Sequence, residues 1–316
     1  MQGYIGVTYR DWYNYLSSQS RVDEVNFWRP HGDRGFRALN PGDLFFFKLR
    51  GSERVIVGFG FFERWDSLPV WLAWEAFQQM NGAPDFDTLV DNILRVRQET
   101  DSGDRTGNFK IGCIMLAAPI FFSPSDWVAL PDSWAPTGIQ QGKGYDLTQE
   151  EGRRVLEECL ERSRRSEHYW NVERGAGVIA GGADRYGNPI MVRPRKGQGL
   201  FSIAVRDAYQ GACAVTREHS APVLEAAHIV PYSRGGMHNV DNGLLLRRDL
   251  HRLYDLGYVT VTPDYVFRVG ERLQDEFHNG RSYYGMDKTG IELPANELWK
   301  PNRELLEWHH TEVFKG

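Results

Sequence analysis

His228, Asn242 and His251 lie within PVLEAAHIVPYSRGGMHNVDNGLLLRRDLHRLYDL, residues 222–256, fourteen residues apart and then nine. A neutral imidazole takes a proton from water near neutral pH, and imidazole nitrogen is also a common ligand for divalent ions. VLEAAHIVP has the character of a strand, Ser-Arg-Gly-Gly that of a loop, and Arg248 to Leu256 that of a helix. A strand, a loop and a helix can bring the three side chains to one point. Taken singly, His228 would be a packed strand histidine and His251 a surface residue of its helix.

The segment resembles the HNH nuclease superfamily, in particular its AAHI…NGLLL…LHRLYD branch. The resemblance implies a ββα-metal fold that hydrolyses phosphodiesters with a divalent ion. It also implies roles: His228 as general base, His251 as the first metal ligand, and Asn242 as the residue that fixes the loop and orients His228. The phosphorane-like transition state gathers charge on the non-bridging and leaving oxygens, which a divalent ion stabilises. Many members carry Asp or His just before the general-base histidine as a second metal ligand, and here that position is Ala227. Asp255, four residues after His251 and so on the same helix face, is the replacement candidate; a helix-end surface carboxylate is its other reading. Glu225 is the weaker candidate, because strand alternation sets it on the side of Ala227, opposite His228. Mg²⁺ or Mn²⁺ is expected, with phosphate and hard oxygen donors completing the shell. Arg234, in the loop, is a candidate phosphate contact or a solvated cation. His219, His238, His278, His309 and His310 fall outside the pattern and read as ordinary polar or partly packed residues.

The elements that must position this site follow from periodicity. A helix from Leu200 to Tyr209 precedes it, and a glycine-rich stretch, GAGVIAGGADRYGNP, reads as a linker or hairpin. The division expected is residues 1–170, a linker at 171–190, and a nuclease domain at 191–316. In the first part, NFWRP, LNPGDLFFFKL and RVIVGFGFF read as short buried strands, and IGCIMLAAPIFF as a further core strand. Ser67-Leu68-Pro69 reads as the entry to a helix presenting Trp71, Trp74 and Phe77 and ending near Asn81-Gly82. A second helix spans Phe86 to Arg97, and Thr148-Gln149-Glu150-Glu151 reads as a capping box before a third. The fold class expected is α+β, with a curved sheet or open barrel in the N-terminal part.

NFWRP, LNPGDLFFFKL, IVGFGFF, LPVWLAWEAF and IGCIMLAAPIFF, in that order, resemble an EVE-like domain of the PUA superfold as it occurs fused to HNH nucleases. Such fusions are modification-dependent restriction endonucleases, so the resemblance implies an N-terminal reader of 5-methylcytosine or 5-hydroxymethylcytosine in double-stranded DNA. Flipping the base into a pocket lets aromatics stack on it and polar groups bond its Watson–Crick edge. Trp28, Phe61 and Trp74 are the pocket candidates, with Trp71 in reserve, although an aromatic stripe at helical spacing is usually core. Asp43 or Asn40 could bond the base edge, but Asn-Pro-Gly-Asp is equally a turn. Burying a methyl group is worth only about 1 kcal/mol, so strong discrimination against plain cytosine needs further shape or water effects.

The net charge of -5 falls unevenly: residues 1–170 hold 19 Lys+Arg against 24 Asp+Glu, while residues 171–316 hold 18 of each. A basic run, Arg185, Arg193, Arg195, Lys196, Arg206 and Arg217 against Asp207, could meet phosphates or be a solvated linker. Three scattered cysteines form no CxxC pair and indicate neither a disulfide framework nor a zinc knuckle. No run is apolar for long enough to span a bilayer and the start is unlike a signal peptide, so a cytoplasmic location is expected. One active site per chain suggests a homodimer for double-strand cutting, or sequential nicking. Two further readings stay open: an HNH nuclease or nicking enzyme acting on unmodified nucleic acid, and a modified-DNA binding protein whose HNH fold has lost catalysis.

Overall fold

The computed structural model describes residues 1–99, 103–135, 141–165, 179–180, 190–191, 197–278 and 280–316. The chain divides into two units, Met1–Gly197 and Gln198–Gly316. Most of the expected linker, and of the basic run before residue 197, lies outside the described residues; within it, Ile179–Ala180 pairs antiparallel with Ile190–Met191.

The first unit runs β1 (Gln2–Thr8), α1 (Arg10–Ser17), β2 (Glu24–Arg29), β3 (Leu44–Leu49), β4 (Val55–Pro69), α2 (Val70–Phe77), α3 (Phe86–Arg97), β5 (Lys110–Phe121), β6 (Val128–Ala129), β7 (Gly142–Asp146) and α4 (Glu150–Arg165). One sheet joins its strands in the order β2-β5-β4-β3-β1-β7, with β6 also on β4. Only β1 and β3 run parallel among these neighbours. The pairing ends at β2 and β7, so among the described residues no hydrogen bonds close the sheet into a barrel. LFFF reads as an unbroken apolar run because β3 is buried on both faces, with Phe45, Phe46 and Phe47 no more than 1% exposed. Each such ring contributes roughly 1.5–3 kcal/mol by leaving water.

β4 is longer than its apolar part predicts. It continues through Ser67, Leu68 and Pro69, which pair with Gly112, Ile111 and Lys110, so the helix begins only at Val70. Register shifts near Phe59/Phe61 and Phe62/Arg64 bend it. At Gly58 (φ +154°) an added Cβ would stand 2.2 Å from the Ile120 carbonyl oxygen, a close approach only glycine permits. The capping box does not form as read: the Thr148 hydroxyl bonds Asp146, and the Glu151 carboxylate instead accepts from Ser133 N and Oγ. Asn40 and Asp43 close a turn on each other, through Asp43 N to Asn40 O and Asn40 N to Asp43 Oδ2.

The second unit comprises α5 (Gln198–Ala208), β10 (Leu224–His228), β11 (Gly243–Arg247), α6 (Arg248–Asp255), β12 (Val259–Val261), β13 (Val266–Val269), α7 (Arg272–Phe277), α8 (Arg281–Tyr284), β14 (Thr289–Gly290) and α9 (Arg303–Glu312), the earlier hairpin supplying β8 and β9. β10 and β11 pair antiparallel and lead directly into α6, a ββα unit. Its core joins Phe201 and Val205 of α5, Leu224 and Ala227 of β10, Leu244, Leu245 and Leu246 of β11, and Leu250 and Tyr254 of α6. The three cysteines are free and buried. Among the described residues no helix is long and apolar enough to cross a membrane.

Candidate active site

β10 ends on His228, whose Cα partner in the sheet is Gly243 of β11. A Cβ at Gly243 would meet Val205 at 2.4 Å, and its absence lets α5 close over the sheet. Phe201 of α5 thereby stacks on the His228 imidazole, with centroids 3.9 Å apart and planes 11° apart. The histidine is half-buried, and its pKa is lowered to about 4, first by burial and then by His238 and His251. Neutral imidazole, the form that accepts a proton, is thus favoured across the neutral range.

Asn242 is 1% exposed and spends every polar atom on the loop after His228. Its Oδ1 accepts from Val230 N at 2.9 Å, and its Nδ2 donates to Val230 O at 3.0 Å and Met237 O at 2.9 Å. Ile229 N donates to the Asn242 carbonyl at 2.9 Å. The loop packs tightly on this clamp, since a Cβ at Gly236 would come within 1.8 Å of the Val230 carbonyl oxygen.

On α6, His251 and Asp255 stand one turn apart, with Nε2 of the imidazole 3.5 Å from Oδ2 of the carboxylate. The other ring nitrogen, Nδ1, is 2.8 Å from Glu225 Oε2, while Arg248 Nε reaches Glu225 Oε1 at 2.9 Å. A carboxylate only accepts, so Nδ1 carries a proton, and in the neutral ring Nε2, on the side of Asp255, is the nitrogen able to ligate. His228, His251, Asp255 and Arg234 line one cavity of about 410 Å³ together with His238 and Trp308. The Arg234 guanidinium lies over the Trp308 ring, 5.7 Å from its centre.

Among the described residues, no three His, Cys, Asp or Glu side chains group as a closed metal cage. His251 Nε2 and Asp255 Oδ2 offer one imidazole and one hard oxygen, a donor set that suits a cation keeping water and phosphate oxygens in its shell. Ala227, the residue just before His228, is fully buried in the core and offers no ligand.

Two neighbours of the site make contacts that the motif's spacing does not predict. His238, set aside as an ordinary histidine, places Nδ1 2.9 Å from His228 Nε2. Glu225, the weaker ligand candidate, faces away from His228, yet from that face it reaches His251 and Arg248 of α6. Alternation itself puts Glu225 on the side of Ala227, and a carboxylate there spans to His251. His309, by contrast, is a buried structural residue, bonded to Thr260 Oγ1 and the Tyr254 carbonyl.

In the first unit, Trp28 is buried, stacks on Tyr9 and donates Nε1–H to the Asn81 carbonyl. Phe61 is 5% exposed and sits in the sheet core with Phe59 and Ile120. Trp74 and Trp71 are partly exposed on α2, and Trp74 meets Phe86 edge to face. Trp28 and Phe61 thus belong to different packing neighbourhoods, and of the three primary pocket candidates Trp74 keeps the most open ring.

Residues 213–262 match the HNH endonuclease family, a stretch that runs from Cys213 through β10, β11 and α6 to just past β12. No curated protein matches the chain. The matched domain makes the protein a metal-dependent nuclease, a phosphodiester hydrolase that cuts within nucleic acid, with DNA the implied substrate.

Proposed function

We propose that the protein is a modification-dependent DNA endonuclease. Its first unit reads 5-methylcytosine or 5-hydroxymethylcytosine by base flipping, and its second unit cuts nearby. The observation that carries the cutting reaction is the convergence of His228, His251 and Asp255 on one cavity. In this reading His228 takes a proton from water as the water oxygen bonds phosphorus and the bond to the leaving oxygen breaks, and solvent returns a proton to that oxygen. Asn242 holds the loop backbone and so fixes where His228 stands. His251 and Asp255 would hold Mg²⁺ or Mn²⁺, which would supply positive charge against the charge that builds on the phosphate. Glu225 keeps His251 in the tautomer whose Nε2 can ligate. Arg234 meets a phosphate beside the scissile bond.

Support for reading a modified base comes from the order of the aromatic segments in the first unit and their EVE-like resemblance. Trp74 supplies the stacking face in this reading, while Trp28 and Phe61 are buried in two different packing neighbourhoods. The burial of those two rings also favours a second reading, an HNH nuclease or nicking enzyme indifferent to modification. Matched DNAs containing cytosine, 5-methylcytosine or 5-hydroxymethylcytosine separate the two. Preferential cutting of a modified substrate is expected, and equal cutting of all three removes the modification-dependent reading.

A further inference from the structure

We propose that His238 is a positioning residue for the reaction: it accepts a hydrogen bond from His228 and thereby fixes which nitrogen of His228 acts as the base. The inference rests on His228 being the general base. His228 Nε2 and His238 Nδ1 are 2.9 Å apart, so one of them must donate and the other accept. With Nε2 engaged, Nδ1 is the His228 atom left for water. For Nδ1 to offer its lone pair, the ring proton must sit on Nε2, and the direction of the bond follows: His228 Nε2–H donates to His238 Nδ1. His238 in turn keeps its own proton on Nε2.

Packing holds both rings to this arrangement. Phe201 lies flat against His228 at 3.9 Å, and Tyr232 lies flat against His238 with centroids 4.8 Å and planes 9° apart. The two imidazoles meet at 64°, which brings the edge of one toward the edge of the other. When His228 takes the proton from water, the Nε2–H bond to His238 strengthens, because the donor is now a cation. His238 therefore occupies the place that an orienting carboxylate fills in a serine-type triad, without bringing a negative charge to a site that must admit phosphate.

Two substitutions in the full-length protein test this, read beside His228→Ala. His238→Ala removes the acceptor; His238→Asn restores one, since Asn Oδ1 stands the same number of bonds from Cα as His Nδ1. Single-turnover cleavage of DNA by His238→Ala should fall on the order of 10²-fold, with DNA affinity measured in EDTA unchanged, and His238→Asn should recover at least about tenfold of that loss. Ring ¹⁵N shifts of the metal-free protein should show His228 as the Nε2–H tautomer, and a mixture of tautomers in His238→Ala. Cleavage by His238→Ala within twofold of the parent, no recovery in His238→Asn, or a loss matched by lost DNA affinity each overturns the proposal. If His238→Ala cuts normally while His228→Ala is inert, only the role of His238 fails. If His228→Ala itself cuts normally, the assignment of the base fails.

Discussion

Asn242→Asp is nearly isosteric and leaves no cavity, so its effect reports the lost hydrogen bonds and the charge placed among them. The carboxylate can still accept from Val230 N, but it sets an oxygen where Nδ2 now donates to the carbonyls of Val230 and Met237. Met237 is exposed enough for water to replace its lost donor, whereas Val230 is 7% exposed and its carbonyl is left bare. An unpaired buried backbone group costs about 1–3 kcal/mol. Placing a charge at a site 1% exposed, facing two carbonyl dipoles, raises the total to about 3–5 kcal/mol. Asn242→Ala, which also takes the acceptor from Val230 N but brings no charge, should cost about 2–4 kcal/mol. Hydrogen exchange by mass spectrometry, on peptides covering residues 224–250, measures that local loss directly. Nicking of supercoiled DNA should fall with it, because the released loop begins right after His228. A change below about 0.5 kcal/mol for Asn242→Asp, within the usual range of surface substitutions, would refute the clamp.

Removing Glu225 should weaken metal binding without unfolding the unit: Glu225→Ala is expected to lower Mn²⁺ affinity about 10- to 100-fold by calorimetry, and Glu225→Gln, which can still accept from His251 Nδ1, to lose less. Gly236→Ala should cut nicking at least about tenfold while the fold persists, because the loop must move to free the Val230 carbonyl from the new methyl group. Stability should depend on pH through His228 and His309, both lowered to about 4 by burial. Between pH 6.5 and 4 the unfolded chain binds protons that the folded one refuses, so this stabilisation is complete above pH 6.5 and drains away as pH falls toward 4. The limiting slope is about 1.4 kcal/mol per pH unit for each histidine, with buried His309 nearer the limit than half-buried His228. Urea unfolding across that range checks the sign, and His309→Gln should flatten the curve.

The sequence made parts of this site legible because they are written locally. The spacing of His251 and Asp255 on one helix turn, and the turn chemistry of Asn40 to Asp43, need only neighbouring residues to be read, and the structure shows both. What escaped depends on pairing across the fold. That Glu225 reaches His251 follows from where α6 crosses the sheet, and that His238 meets His228 follows from the path of a loop clamped by Asn242. β4 ran past its apolar segment because β5 offered partners as far as Lys110, which no local propensity encodes. The aromatic segments of the first unit announced its core strands and the helix after Pro69, but not the extent of β4 nor which rings would stay open. Trp28, Trp74 and Phe61 look alike in sequence and differ in burial only once the sheet is assembled.

Nicking of supercoiled plasmid carrying modified cytosine, by the full-length protein with Mg²⁺ or Mn²⁺, tests the catalytic site most directly when repeated with His228→Ala and His251→Ala. Cutting by the parent, its suppression by EDTA, and its loss in both variants, with each still folded and still binding DNA, is the predicted result. Undiminished cutting by either variant would contradict it.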